Sequence, residues 1–177
     1  MSEIEVPTEH LHETIHEKAH ESHDRWSMQI ALSTALIAVF AAITGLLAEH
    51  QANEALISQI KASDQWAYYQ AKGIKGEIYN ATGEILSAQN ISLSEEKQQK
   101  IEKYKQEQSG IKAKAEELQN ESSIRLAKHS KLSLGITLFQ IAIAISAVAI
   151  LTRKRFLWYI GIGFSAVGLV FLLLGLL

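Results

Sequence analysis

The sequence predicts an all-α membrane protein: three transmembrane helices, with a long antiparallel coiled-coil hairpin projecting between the first and the second. Three observations carry that expectation. Three apolar stretches without a charged side chain each reach the ~20 residues that a helix needs to cross a bilayer. The single proline is Pro7, so the commonest helix breaker is missing from everything that follows it. The polar region between the first two stretches repeats its apolar residues at alternating spacings of three and four, the pattern of a coiled-coil seam.

The first span is read as residues 27–48, bracketed by Arg25 and Glu49. The second is read as 132–152, between Lys131 and Arg153, and the third as 156–177, with Trp158 and Tyr159 placed for an interfacial aromatic belt. Three helices that are apolar all round cannot be buried by a chain of 177 residues, so lipid is the partner they require. Only Arg153, Lys154 and Arg155 separate the last two spans, and this basic turn favours the cytoplasmic side. The N-terminus is then cytoplasmic and the hairpin external. Arg125, Lys128 and Lys131 act against this orientation, although charges in long loops weigh less.

Small residues recur at helical spacing in the spans: Ala31, Ala35, Ala38, Ala42 and Gly45 in the first, and Gly161, Ser165, Gly168 and Gly175 in the third. They allow backbones to approach closely, within one bundle or between copies. Gln140 is the polar residue of the second span from which a contact to a neighbouring helix is expected. No span holds an acidic or basic residue, which gives an ion or proton pathway little support.

Composition excludes several classes. A net charge of −2 argues against nucleic acid as a partner. The absence of cysteine removes disulfides, iron–sulfur clusters and thiolate zinc sites. The first apolar block follows a segment rich in His and Glu instead of a basic one, so a cleavable signal peptide is not expected.

Residues 49–131 are read as the extramembrane hairpin, with its turn near 87–94 and a capping box from Ser92 to Glu95. On the outgoing arm the most apolar stripe is Leu56, Ile60, Ser63, Ala67, Gln70, Ile74, Ile78, Ala81 and Ile85, taken as the seam. On the return arm the same role falls to Ile101, Tyr104, Gln108, Ile111, Ala115, Leu118 and Ser122, continued by Leu126, His129 and Leu132. Arms of this length reach about 55–60 Å at 1.5 Å per residue. A second face holds Ala55, Ala62, Trp66, Tyr69, Gly73 and Gly76, which a two-helix hairpin does not require; contact with another copy is the expectation there. The alternative is that Trp66 and Tyr69 fold over their own seam.

The stretch ASDQWAYYQAK at 62–72 resembles the signature of a bacterial membrane-protein family, domain-of-unknown-function family 4337. The resemblance extends to the His-rich N-terminus, to ALSTALIAVFAAITGLLAEH, to TLFQIAIAISAVAILT and to the last span with Trp158 and Tyr159. It implies a bacterial inner-membrane location and this architecture, and it implies no activity.

Residues 1–26 form a His- and Glu-rich segment read as an amphipathic helix. His12, His16, His20 and His23 share one stripe, and imidazoles spaced by four can chelate Zn²⁺, Ni²⁺ or Cu²⁺ with carboxylates completing the shell. Aligned imidazoles could also respond to pH, and a solvated polar face is the plainer alternative. HETIH and HEKAH match the zinc-peptidase pattern with Glu13 and Glu17, but a four-residue His–Glu repeat produces that match by itself. A peptidase also needs a further ligand, an open coordination position and a cleft. The chain is therefore read as no enzyme. The expected function is a homo-oligomeric membrane scaffold, with a protein partner on the hairpin and lipid around the spans. A metal-responsive accessory protein is the second reading and a metallopeptidase a distant third.

Overall fold

The structure, a computed structural model, describes residues 25–89 and 95–177. The described residues form three helices: α1 (Arg25–Ala88), α2 (Glu95–Thr152) and α3 (Arg155–Leu176). There is no strand among them, and the fold is all-α. Each helix is long and apolar enough to cross a membrane. The expected N-terminal amphipathic segment lies outside the described residues apart from Arg25 and Trp26, which open α1. Of the expected turn near 87–94, residues 90–94 lie outside the described residues, Ser92 of its capping box included, while α1 continues to Ala88. Two compact units divide the chain: Asn53–Arg125 is one, and the other is built from the residues on either side of it.

In the latter unit, α1 contributes Ile30, Thr34, Ile37, Ala41, Thr44 and Ala48 to the interior, at alternating steps of four and three. Leu132, Phe139, Ala142 and Ser146 do the same from α2. Phe139 is fully buried and stacks on Phe40 with ring centroids 6.3 Å apart. Glycine makes room for that ring: a Cβ on Gly168 would lie 3.0 Å from Phe139 Cε1 and 3.2 Å from the Gly135 carbonyl oxygen. Gly161 and Gly175 are likewise buried and face α2, where added Cβ atoms would meet Ser146 and Leu132. The small-residue face of the third span thus packs within one chain. On α1, Ala31 is buried, whereas Ala42 is exposed and a Cβ placed on Gly45 would meet no side chain and no other helix within 4 Å.

Three buried hydroxyls of this unit are satisfied locally. Thr34 donates to the Ile30 carbonyl at 2.8 Å, Thr44 to Phe40 at 2.6 Å and Ser146 to Ala142 at 2.8 Å, each one turn back on its own helix. Gln140 is half-buried and hydrogen-bonds to no described residue of its own chain. Other polar groups link the helices. Trp158 Nε1 donates to Ser33 Oγ at 3.1 Å, joining α3 to α1. His129 Nδ1 lies 2.9 Å from the Ala48 carbonyl oxygen. A carbonyl can only accept, so Nδ1 carries the proton.

The Asn53–Arg125 unit is an antiparallel pair of helical arms, and its register corrects one sequence expectation. The stripe Leu56, Ile60, Ile74, Ile78 and Ile85 faces outward, with the five side chains 54–62% exposed. The seam of the outgoing arm instead follows Ala55, Ser58, Ala62, Gln65, Tyr69, Lys72, Gly76, Tyr79, Gly83 and Leu86, all buried or half-buried. This second set keeps the steps of three and four without a break, and that 3.5-residue repeat is what keeps two helices in continuous contact. The isoleucine stripe breaks the alternation at Ile74, Ile78, where two steps of four adjoin. It follows one side of a straight helix instead. Apolar content selected the wrong stripe, because small residues set how closely two helices approach. The return-arm seam lies where the sequence places it through Ile101, Tyr104, Gln108, Ile111, Ala115, Leu118 and Ser122, and of its expected continuation His129 and Leu132 turn inward whereas Leu126 is exposed.

Candidate functional site

The hairpin concentrates its unusual side chains where the arms meet at residues 66–79 and 104–108. The local sequence brings them there through the seam repeat: Tyr69, Lys72, Gly76 and Tyr79 are successive seam positions. A lysine at a seam position must find an anionic partner, because a half-buried ammonium without one is costly. Lys72 has it in Glu107 across the hairpin, to which its Nζ donates a hydrogen bond. Two aromatic faces enclose the same ammonium, with the Tyr104 centroid at 4.9 Å and the Tyr68 centroid at 5.4 Å.

The electrostatics are reciprocal. The hydrogen bond to Glu107 raises the Lys72 pKa above its ordinary 10.5, against a smaller opposing effect of burial. The hydrogen bond from Lys72 holds Glu107 below its ordinary 4.5, again against burial, with help from the Lys72 and Lys103 charges. Both groups stay ionised through the neutral range.

Around this pair, Tyr79 tilts against Tyr104 at 5.8 Å, and Trp66 meets Tyr69 edge-on at 5.6 Å. Gln108 Nε2 donates to the Tyr69 carbonyl at 3.3 Å. That amide reaches the α1 backbone because residue 73 is glycine: a Cβ there would lie 2.6 Å from Nε2. Nearer one end of the unit, Ser122 Oγ donates to the Ala55 carbonyl at 2.8 Å, and Arg125 bonds Glu121 while reaching Glu54 at 3.8 Å. Chemically the belt is an address. It fixes which residues of the two arms stand opposite each other.

The face expected to meet another copy is largely consumed by this packing. Ala55 and Ala62 are 5% and 1% exposed, and Gly73 lies against Gln108, so the return arm covers them. Trp66, Tyr69 and Gly76 are half-buried, and an added Cβ on Gly76 would meet nothing. His12, His16, His20 and His23 lie outside the described residues. Among the described residues, no group of three or more His, Asp or Glu side chains is gathered to hold a metal ion. Sequence reasoning missed Glu107 as the partner of Lys72, for which the return-arm repeat gives no signal, and it missed Ser58 and Lys72 as seam residues. The signal for Ser58 and Lys72 was present in the 3.5-residue repeat beginning at Ala55, which a ranking by hydrophobicity passes over.

A family model described as Domain of unknown function (DUF4337) matches residues 26–177, a stretch that takes in both hairpin arms and all but the first residue of α1. No curated protein and no solved structure matches the chain. The chain belongs to the DUF4337 family.

Proposed function

We propose that this protein is a three-span protein of a bacterial inner membrane that works as a homo-oligomeric scaffold, with the hairpin in the aqueous phase as its contact surface for other proteins. The observation that carries the reading is an inverted distribution of side chains. In the three-helix unit the interior is made largely of Ala, Gly, Thr and Ser, while Leu32, Leu36, Leu46, Leu151 and Phe156 are 55–73% exposed. Water would penalise such a surface, and lipid is the solvent that suits it. A bilayer gives the spans no hydrophobic drive to associate, so small residues left open on α1, at Ala42 and Gly45, suit contact between copies.

The exposed basic turn at Arg153, Lys154 and Arg155 supports a cytoplasmic N-terminus and an external hairpin. Labelling of a Gln89→Cys variant in intact cells by an impermeant maleimide tests that orientation; protection until the cells are opened reverses it. Native mass spectrometry of the full chain in mild detergent tests the scaffold. A defined oligomer is expected, and a strict monomer at every protein concentration overturns the reading.

A further inference from the structure

The outgoing arm of the hairpin has two apolar sides, and its partner arm uses only one. Leu56, Ile60, Ile74, Ile78 and Ile85 point away from the seam, each more than half exposed. The return arm offers no comparable stripe: among its described residues the exposed large aliphatics are Ile124 and Leu126, side by side near its end. The exposed stripe is therefore confined to one side of one arm. Charged residues border it, with Lys61, Asp64, Lys75 and Glu77 all exposed, so it is no lipid-facing surface.

We infer that this stripe is where a second copy of the same chain docks, arm against arm, parallel and in register. The inference rests on the scaffold reading, because copies inserted alike in one bilayer share their chain direction and height. Because the stripe follows a straight helix, the two arms lie side by side without supercoiling, and a twofold axis along them sets stripe residues against themselves, Ile60 on Ile60, Ile74 on Ile74 and Ile78 on Ile78. Ser63 and Ala67 between them are small enough for the helices to close. Charge complementarity selects this arrangement. At 100° per residue, Lys75 and Glu77 flank the stripe on opposite sides. Parallel pairing brings opposite flanks together, so Lys75 of each copy meets Glu77 of the other, about 3 Å apart along the axis. The ion pair forms twice by symmetry. Antiparallel pairing sets each flank against its own kind and loses it. The result is a bundle of four helices with the two outgoing arms at its centre and the charged return arms outside.

The chain contains no cysteine, so single-cysteine variants of the full protein in membranes report contacts directly. Mild oxidation is expected to link Ile60→Cys, Ile74→Cys and Ile78→Cys each to itself, and to leave Ser109→Cys on the return arm unlinked. Adding Lys75→Glu to Ile74→Cys is expected to lower its yield several-fold, and adding Glu77→Lys as well to restore it. Links that form only between different stripe positions overturn the parallel register. Stripe yields no higher than that of Ser109→Cys overturn the docking face. Native mass spectrometry of the unmodified protein separates the two layers: a persisting oligomer without stripe links leaves the scaffold standing on another face, and a monomer removes both.

Discussion

Ser122 Oγ hydrogen-bonds to the carbonyl oxygen of Ala55 at 2.8 Å, with both residues buried where the two arms of the hairpin run side by side. A side chain on one helix reaches the backbone of the next only when the intervening residue is small. Ala55 therefore sets the spacing, and Ser122 uses it. Ser122→Ala is expected to lower stability by ~1 kcal/mol, the net worth of one such bond. Ala55→Leu is expected to cost ~1–3 kcal/mol, because a larger side chain at the contact forces the arms apart. Thermal unfolding of the full chain in detergent, followed by circular dichroism, checks both. A neutral Ala55→Leu variant would place the contact elsewhere.

Two glycines that look alike in sequence should respond oppositely to alanine. At Gly73 the added Cβ meets the far end of Gln108, a flexible side chain that can swing aside. The lost bond to Tyr69 costs ~0.5–1.5 kcal/mol, and alanine returns ~1 kcal/mol in helix propensity. The net effect is expected to be near zero. At Gly168 the Cβ meets the fully buried Phe139 ring and the Gly135 backbone, neither of which can move away. There the α2–α3 contact must open, at a cost of ~1–3 kcal/mol. Melting temperatures of Gly73→Ala and Gly168→Ala in the same detergent decide the matter; equal losses would contradict it.

The belt makes the hairpin sensitive to extremes of pH in a defined direction. Glu107 is held below its ordinary 4.5, so its contribution is complete above that value and is lost in acid as pH falls through the lowered pKa. Lys72 is held above its ordinary 10.5, so its contribution is complete below that value and is lost as pH rises through the raised pKa. Between the two limits the pair contributes a constant amount. Replacing both residues, Lys72→Met with Glu107→Leu, is expected to flatten both edges of the stability–pH curve. Replacing only one leaves a charge without its partner and should destabilise the hairpin more than the double change at neutral pH. Unfolding curves of the three variants and the parent, from acid to alkaline conditions, provide the comparison.

How much of this could be read from the residues depends on which physical signal each element uses. Spans announce themselves by length and apolarity, so the helices through Ile37, Phe139 and Leu172 were legible. The return-arm seam was legible too, since Ile101, Ile111 and Leu118 are both apolar and correctly spaced. The outgoing seam was not, because Ala55, Ser58, Lys72 and Gly76 pack by smallness and pairing, and the isoleucines beside them outweigh them on any hydrophobic scale. Gln140 stood out as the amide in its span, yet the polar bonds between helices of the chain run from Trp158 to Ser33 and from His129 to Ala48. Which tryptophan or serine faces a neighbour depends on helix rotation, and composition alone does not fix that.

The turn between α2 and α3 stores a small strain that a single substitution should release. Arg153 has φ at 54°, in the left-handed region, and its N–H bonds the Ile150 carbonyl at 3.3 Å. A residue with a Cβ pays roughly 1–2 kcal/mol for that conformation. Glycine avoids this, but gains freedom in the unfolded chain worth roughly 0.5–1 kcal/mol. Arg153→Gly is thus expected to stabilise the protein by up to ~1 kcal/mol, and Arg153→Val to destabilise it, since β-branching suits this region least. Lys154 and Arg155 keep two positive charges in the turn, so the orientation in the membrane should not change. Thermal midpoints of the two variants check the strain, and labelling of Gln89→Cys in the Arg153→Gly background checks the orientation. A stabilised Arg153→Val would show that the left-handed turn is not the conformation the chain adopts.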